Sequence, residues 1–343
     1  MAPAPIRGTW TKIAGSDRLK RSSQNLAVVG QQVYIYGGEV TARVPVDGAL
    51  ELINFNGSTV TTSTLSNVSP APTPRVGGAT AVLDGVLYLF SGRGGLAMTP
   101  IEENGGIWKY TSSTGWEFIL PKHPSASFPL GRSYHAATAS RAEGLIYIHA
   151  GCPESGRLAD LWSYNPKENV WIKLPDAPGA SRGGSSICCF EEFQSKTINV
   201  ARMNGYSGTE EIGGIIDIYS PRNHSWERVV FDPNGIEGPG PRSVGTLLTV
   251  RVEGKQYLFT MFGEGRPSPL GHAGAGRMWD DAWIFDIEEK SWQKVEWETI
   301  GPAPRGWFAA DVIEIEGKDV VVLHGGLGED NERLGDVWLL EFN

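Results

Sequence analysis

Six apolar, β-like runs, each closing on a glycine, constrain this chain more than any other feature. They read VYIYGG, LYLFSG, IYIHAG, NVARMNG, YLFTMFG and VVVLHGG, and their last glycines are Gly38, Gly92, Gly151, Gly205, Gly263 and Gly326, at steps of 54, 59, 54, 58 and 63. A self-similar period of this length signals repeated supersecondary units that bury their faces against one another. Ahead of each run stands an arginine, at Arg21, Arg75, Arg132, Arg182, Arg242 and Arg305. Behind each comes a further strand-like segment, LINF, IWKY, LWSY, IDIY, AWIF or VWLL, and in most units a tryptophan follows it. Each unit therefore holds about four strands, the composition of a propeller blade.

The sixth unit ends at Asn343 without the late tryptophan that Trp116, Trp171, Trp226 and Trp292 supply elsewhere. Trp10 lies 11 residues before Arg21, as Trp171 lies 11 before Arg182, so residues 8–14 are expected to complete the sixth blade and close the ring. The expected fold is all-β: a single six-bladed propeller over residues 1–343. Composition agrees, with 44 glycines and 22 prolines but no Gly-X-Y period, and a charged fraction of 20%, low for a coiled coil. The glycine doublets, spaced aromatics and late tryptophans resemble the kelch repeat along nearly the whole chain. The first unit, with GSTVTTSTL, and the fourth, with Asn204-Gly205, depart from its pattern.

A formal net charge of -9, with no cluster of lysines and arginines, argues against nucleic acid as a partner. No run of 18 apolar residues and no signal-like N-terminus appear, so the expectation is a cytoplasmic protein that engages no membrane. Cys152, Cys188 and Cys189 are too few for a disulfide framework or a zinc site. The repeated tryptophans and glycines read as packing and turn residues. The six arginines read as hydrogen-bonding and ion-pairing groups between blades, or as anion ligands at the channel mouth.

Positions that the repeat leaves free carry the functional information, because they project from the same place in every blade. After the six glycines come Glu39, Arg93, Cys152, Tyr206, Glu264 and Leu327. Units three apart oppose one another in a six-membered ring, so Arg93 is expected opposite Glu264, and Glu39 opposite Tyr206. Two residues past the arginines come Ser23, Gly77, Tyr134, Gly184, Val244 and Trp307. Tyr134 and Trp307 are thereby expected to form facing aromatic walls, which either line a ligand pocket or plug the channel.

The longest step contains Glu264-Gly-Arg-Pro-Ser268-Pro-Leu-Gly-His272, a glycine- and proline-rich segment in which a carboxylate and an imidazole are candidates for proton exchange. An ion pair of Glu264 with Arg93 or Arg266 is the plainer alternative. This segment resembles the metal loop of plant nitrile-specifier, epithiospecifier and thiocyanate-forming proteins, which depend on ferrous iron. The resemblance implies Glu264 and His272 as Fe2+ ligands and catalytic residues, with Ser268 where those proteins carry an aspartate, and hence weakened iron binding. It also implies Arg93 as the holder of an anionic sulfate group and Trp307 as a substrate contact. Two functions follow as expectations: a propeller binding a small polar or anionic ligand through Glu39, Arg93, Tyr134, Tyr206 and Trp307, or a protein-interaction scaffold without catalysis.

Overall fold

The computed structural model describes residues 5–57, 59–66, 69–123, 127–192, 195–269 and 274–343. They fold as an all-β propeller whose large sheets are antiparallel meanders. Blade I comprises Asn25–Val29, Gln32–Tyr36, Leu50–Asn56 and Thr59–Leu65; blade II comprises Ala79–Leu83, Val86–Phe90, Ile107–Thr111 and Gly115–Ile119. Blade III runs from Ala136–Ser140 to Val170–Leu174, blade IV from Ser186–Glu191 to Ser225–Val230, and blade V from Leu248–Val252 to Ser291–Lys294. Blade VI takes Ala309–Ile315, Lys318–His324 and Asp336–Phe342 from the end of the sequence and Arg7–Gly15 from its start, with Trp10 opposite Leu340. A short parallel pairing of Arg7 with Glu296 and Gly8 with Trp297 ties this closing strand to the segment leaving blade V. Among the described residues no helix is long and apolar enough to cross a membrane.

The apolar core is divided into layers between adjacent blades. One buried cluster joins Leu26 and Ile53 of blade I to Ile313 and Val322 of blade VI, and another joins Phe259 of blade V to Trp10 and Leu340 of blade VI. The layer between blades III and IV has the fewest buried apolar residues: Tyr147, Leu161, Ile187, Val200 and Tyr219. The late tryptophans pack as the sequence suggests, Trp171 against Tyr164 at 4.7 Å and Trp226 against Tyr219 at 5.2 Å between ring centroids. Their indole N–H groups donate to the preceding blade, Trp171 to the Gly105 carbonyl at 2.7 Å and Trp226 to that of Pro175 at 2.9 Å.

Two sets of backbone hydrogen bonds run around the axis. The six residues two positions past the arginines all have positive φ: Ser23 58°, Gly77 58°, Tyr134 53°, Gly184 63°, Val244 48° and Trp307 52°. Each donates its N–H to its counterpart in the preceding blade, from Ser23 to the Trp307 carbonyl, Gly77 to Ser23, and onward to Trp307 donating to Val244, all at 2.7–2.9 Å. In the second set each terminal glycine donates to the carbonyl of the next blade's arginine, from Gly38 to Arg75 through Gly326 to Arg21, at 2.8–2.9 Å. Glycine is required here. Gly263 has φ +96°, and a Cβ on it would stand 2.7 Å from the Ser243 carbonyl oxygen.

The arginine side chains work within blades; it is their carbonyls that join neighbours. All six are buried. Arg132 donates to the Ala150 carbonyl at 3.1 Å and grips Asp160 with both terminal nitrogens at 2.6 and 3.0 Å. Arg242 repeats this with Asp281 and Arg305 with Asp336, while Glu103 serves Arg75 and Glu51 serves Arg21. Indole donors of Trp162, Trp283 and Trp338 complete the carboxylates two residues before them. Arg182 has the carbonyl contacts, to Ala180 and Asn204, but meets no carboxylate among the described residues.

Replacing a carboxylate in this set strands a buried guanidinium. Asp281→Ala is expected to lower stability by about 3–5 kcal/mol, read from urea unfolding.

Candidate functional site

The residue after each arginine bridges to the residue after the corresponding glycine: Ser22 to Glu39, Val76 to Arg93, Ser133 to Cys152, Gly183 to Tyr206, Ser243 to Glu264 and Gly306 to Leu327. These pairings hold the six variable residues in equivalent places around the axis. Four of the expected ligand contacts, Glu39, Arg93, Tyr134 and Trp307, line one cavity there of about 50 Å³. A single water needs only ~10–15 Å³, so this space suits a small group rather than a lone solvent molecule. Arg43 and Arg333 line it as well, and no periodicity marks either of them.

The cavity's charge is unbalanced. Among the described residues Glu39 is its one carboxylate, and it is already engaged: Oε1 lies 3.3 Å from Arg333 Nη2, and Oε2 accepts the Arg43 backbone N–H at 2.7 Å. The Nε atoms of Arg93 and Arg333 are buried with no hydrogen-bond partner among the described residues. Burial and, secondarily, the Glu39 charge raise Tyr134, which therefore stays a neutral phenol; its hydroxyl lies 3.5 Å from Ser23 Oγ. Three arginines in the lining of a cavity whose described carboxylate is already engaged favour an anion with acceptor oxygens.

Glu264 and Tyr206 are not in the lining of this cavity. Tyr206 lies beneath the Arg157 guanidinium, 5.0 Å from its ring centroid. Glu264, in the strand Glu264–Arg266, accepts the Gly276 N–H at 2.9 Å and the backbone N–H of Ser268. It makes no ion pair with Arg93 or Arg266 among the described residues, and burial pushes its carboxyl up to about 7. Glu211, which the sequence pattern does not mark, shares this neighbourhood. Ser243 Oγ donates to its Oε1 at 3.1 Å, Oε2 has no partner among the described residues, and burial, with the Glu264 charge behind it, pushes it up to about 8. Burial also raises Cys152, so its thiol stays protonated at neutral pH.

His272 lies outside the described residues. Among those described, no group of three His, Cys, Asp or Glu side chains is arranged to hold a metal ion, and Glu264 is engaged by two backbone N–H groups. The described donor set does not fit ferrous iron, which favours several nitrogen and oxygen ligands together.

On the far side of the ring of positive-φ residues the innermost strands enclose a channel of about 500 Å³. Its one carboxyl among the described residues, Asp311, accepts the Val28 and Val312 N–H groups at 2.9 and 2.8 Å. The unpaired cationic nitrogens of the cavity lie at the other end, where the variable residues stand.

Fold and repeat geometry together define a kelch-repeat β-propeller. Residues 23–263 match the KLHDC2/KLHL20/DRC7 Kelch-repeats domain, and the chain belongs to this kelch-repeat family. It is 28% identical to an N-(sulfonatooxy)prop-2-enimidothioate sulfolyase of Thlaspi arvense over 98% of each chain. It is 25% identical to the Kelch-like protein terF of Aspergillus terreus over 60% of this chain and 48% of that one. The solved structure of YjhT superposes with a TM-score of 0.69 at 14% identity, covering 94% of this chain and 97% of the other, a likeness of fold.

The raised carboxyls carry a pH signature. Glu211 goes from an ordinary 4.5 to about 8 on folding, so the folded state holds the extra proton between these values and stability falls as pH rises through them. Glu211→Gln removes the titration. Its melting temperature relative to the parent is expected to climb from pH 5 to pH 9 in thermal denaturation.

Proposed function

We propose that this propeller binds a small ligand carrying a sulfate or similar oxyanion at the axial mouth, with Arg93 as the principal anion contact. The observation that carries this reading is the buried Nε of Arg93, without a partner among the described residues, in a cavity whose only described carboxylate is already taken by Arg333 and the Arg43 backbone. Arg333 supplies a second guanidinium. Tyr134 and Trp307 offer apolar faces to the rest of the ligand, the combination of flat walls and few polar anchors typical of small-molecule sites. Similarity along the whole chain to a protein named as acting on a sulfonatooxy compound supports the choice of sulfate. Glu264 and Glu211, raised by burial to about 7 and about 8, are carboxyls suited to proton transfer near neutral pH, though neither lines this cavity.

The test is calorimetric titration with inorganic sulfate and with N-(sulfonatooxy)prop-2-enimidothioate generated in solution, followed by assay of sulfate release from the latter. Arg93→Ala is expected to weaken binding about 10- to 100-fold, the loss of one charge-assisted hydrogen-bonding group worth ~1.5–3 kcal/mol, while leaving the melting temperature of the unliganded protein nearly unchanged. Equal affinity of parent and variant would sink the proposal. Binding without sulfate release would restrict it to recognition.

A further inference from the structure

In blades III, V and VI the carboxylate that serves the arginine holds one position relative to the residue that pairs across from the late strand. Asp160 stands four residues before Tyr164, Asp281 four before Phe285, and Asp336 four before Leu340. In blade IV the residue four before Tyr219 is Ile215. Two positions further on, where blades III and V carry Trp162 and Trp283, blade IV carries the buried Asp217. Its carboxylate pairs with Arg202 and Arg228 instead, the second at 2.7 Å. Arg182 thus keeps its guanidinium and loses its counterion.

Charge accumulates as a result. Arg182, Arg202 and Arg228 gather around the single carboxylate of Asp217, close enough for the first to feel the charges of the other three. Burial, then the Arg202 charge, pull Arg182 down to about 9, which leaves it cationic at neutral pH. Neighbouring His149 adds no charge, since burial holds it well below its usual range, and its Nε2 lies 3.5 Å from Arg202 Nη1. Arg202, itself fully buried, has an Nε with no hydrogen-bond partner among the described residues. Gly179 lies against two of these guanidinium groups: a Cβ there would stand 3.4 Å from Arg228 Nη2 and 3.8 Å from Arg182 Nη2. The Arg228 side chain is 37% exposed, so solvent ions reach this side.

We propose that blade IV binds a small oxyanion between Arg182 and Arg228, over Gly179, in the role that a built-in carboxylate fills in the other blades. The site is separate from the axial mouth and does not depend on the function proposed for it. Phosphate is the natural probe, because its oxygens match two guanidinium edges at once.

Thermal denaturation of the Arg93→Ala protein, which lacks the principal anion contact proposed at the mouth, is compared in sodium phosphate and in sodium chloride at equal ionic strength. Phosphate is expected to raise the melting temperature by roughly 2–4 °C more than chloride. Adding Ile215→Asp, which restores the missing carboxylate, is expected to abolish that increment and to raise the melting temperature in chloride. Should this variant fail to fold, Arg228→Gln on the same background gives a second reading, with the phosphate increment again lost. An increment absent from the Arg93→Ala protein, or one surviving Ile215→Asp or Arg228→Gln, overturns the proposal.

Discussion

Six hydrogen bonds around the axis, each from a residue in the left-handed region to its counterpart one blade back, are the constraint on which the rest of this structure depends. Two of the six positions are glycine, and the others accept a conformation that disfavours L side chains, most of all at the β-branched Val244. Such strain persists only where neighbouring contacts over-determine the backbone. Here they do: on either side each residue is flanked by a buried arginine, a bridged pair and a glycine donating to the next blade. Tyr134 and Trp307, both held in this conformation, line the mouth.

Much of this was legible in the residues because a repeat of nearly constant step writes each structural duty six times. The closing strand around Trp10 and the equivalence of Glu39, Arg93, Tyr206 and Glu264 follow from position alone. The expected cluster was only partly assembled. Glu39, Arg93, Tyr134 and Trp307 share a cavity, whereas Tyr206 is covered by Arg157 and Glu264 lies beside Glu211. Arg43, Arg157, Arg333 and Glu211 arrive from connecting segments whose lengths differ between blades, so no period announces them. The carboxylate partners were hidden for another reason: in blade II Glu103 reaches Arg75 from a different register, because Gly106 occupies the place that Asp160 holds in blade III.

Buried charge and apolar packing compete within each interface. Where guanidinium, carboxylate and indole form a closed set, as with Arg242, Asp281 and Trp283, the polar groups satisfy one another beneath an ample apolar layer. Between blades III and IV the indole position has gone to Asp217, and that layer has the fewest buried apolar residues among those described. Specialisation in a repeat protein begins in this way, by relaxing one module while its neighbours maintain the frame.

The pairing of Arg7–Gly15 with Asp336–Phe342 sets the order in which the molecule can be completed. Nearly the full length of the sequence must be gathered before this contact forms, so its entropy of closure is the largest in the fold and its formation belongs late in assembly. Until then Asp336–Phe342 presents a bare edge, open to the equivalent strand of another copy. A protein built this way is most exposed to exchange of strands between chains at its seam, and concentration during refolding governs whether the circle closes on itself or on a neighbour.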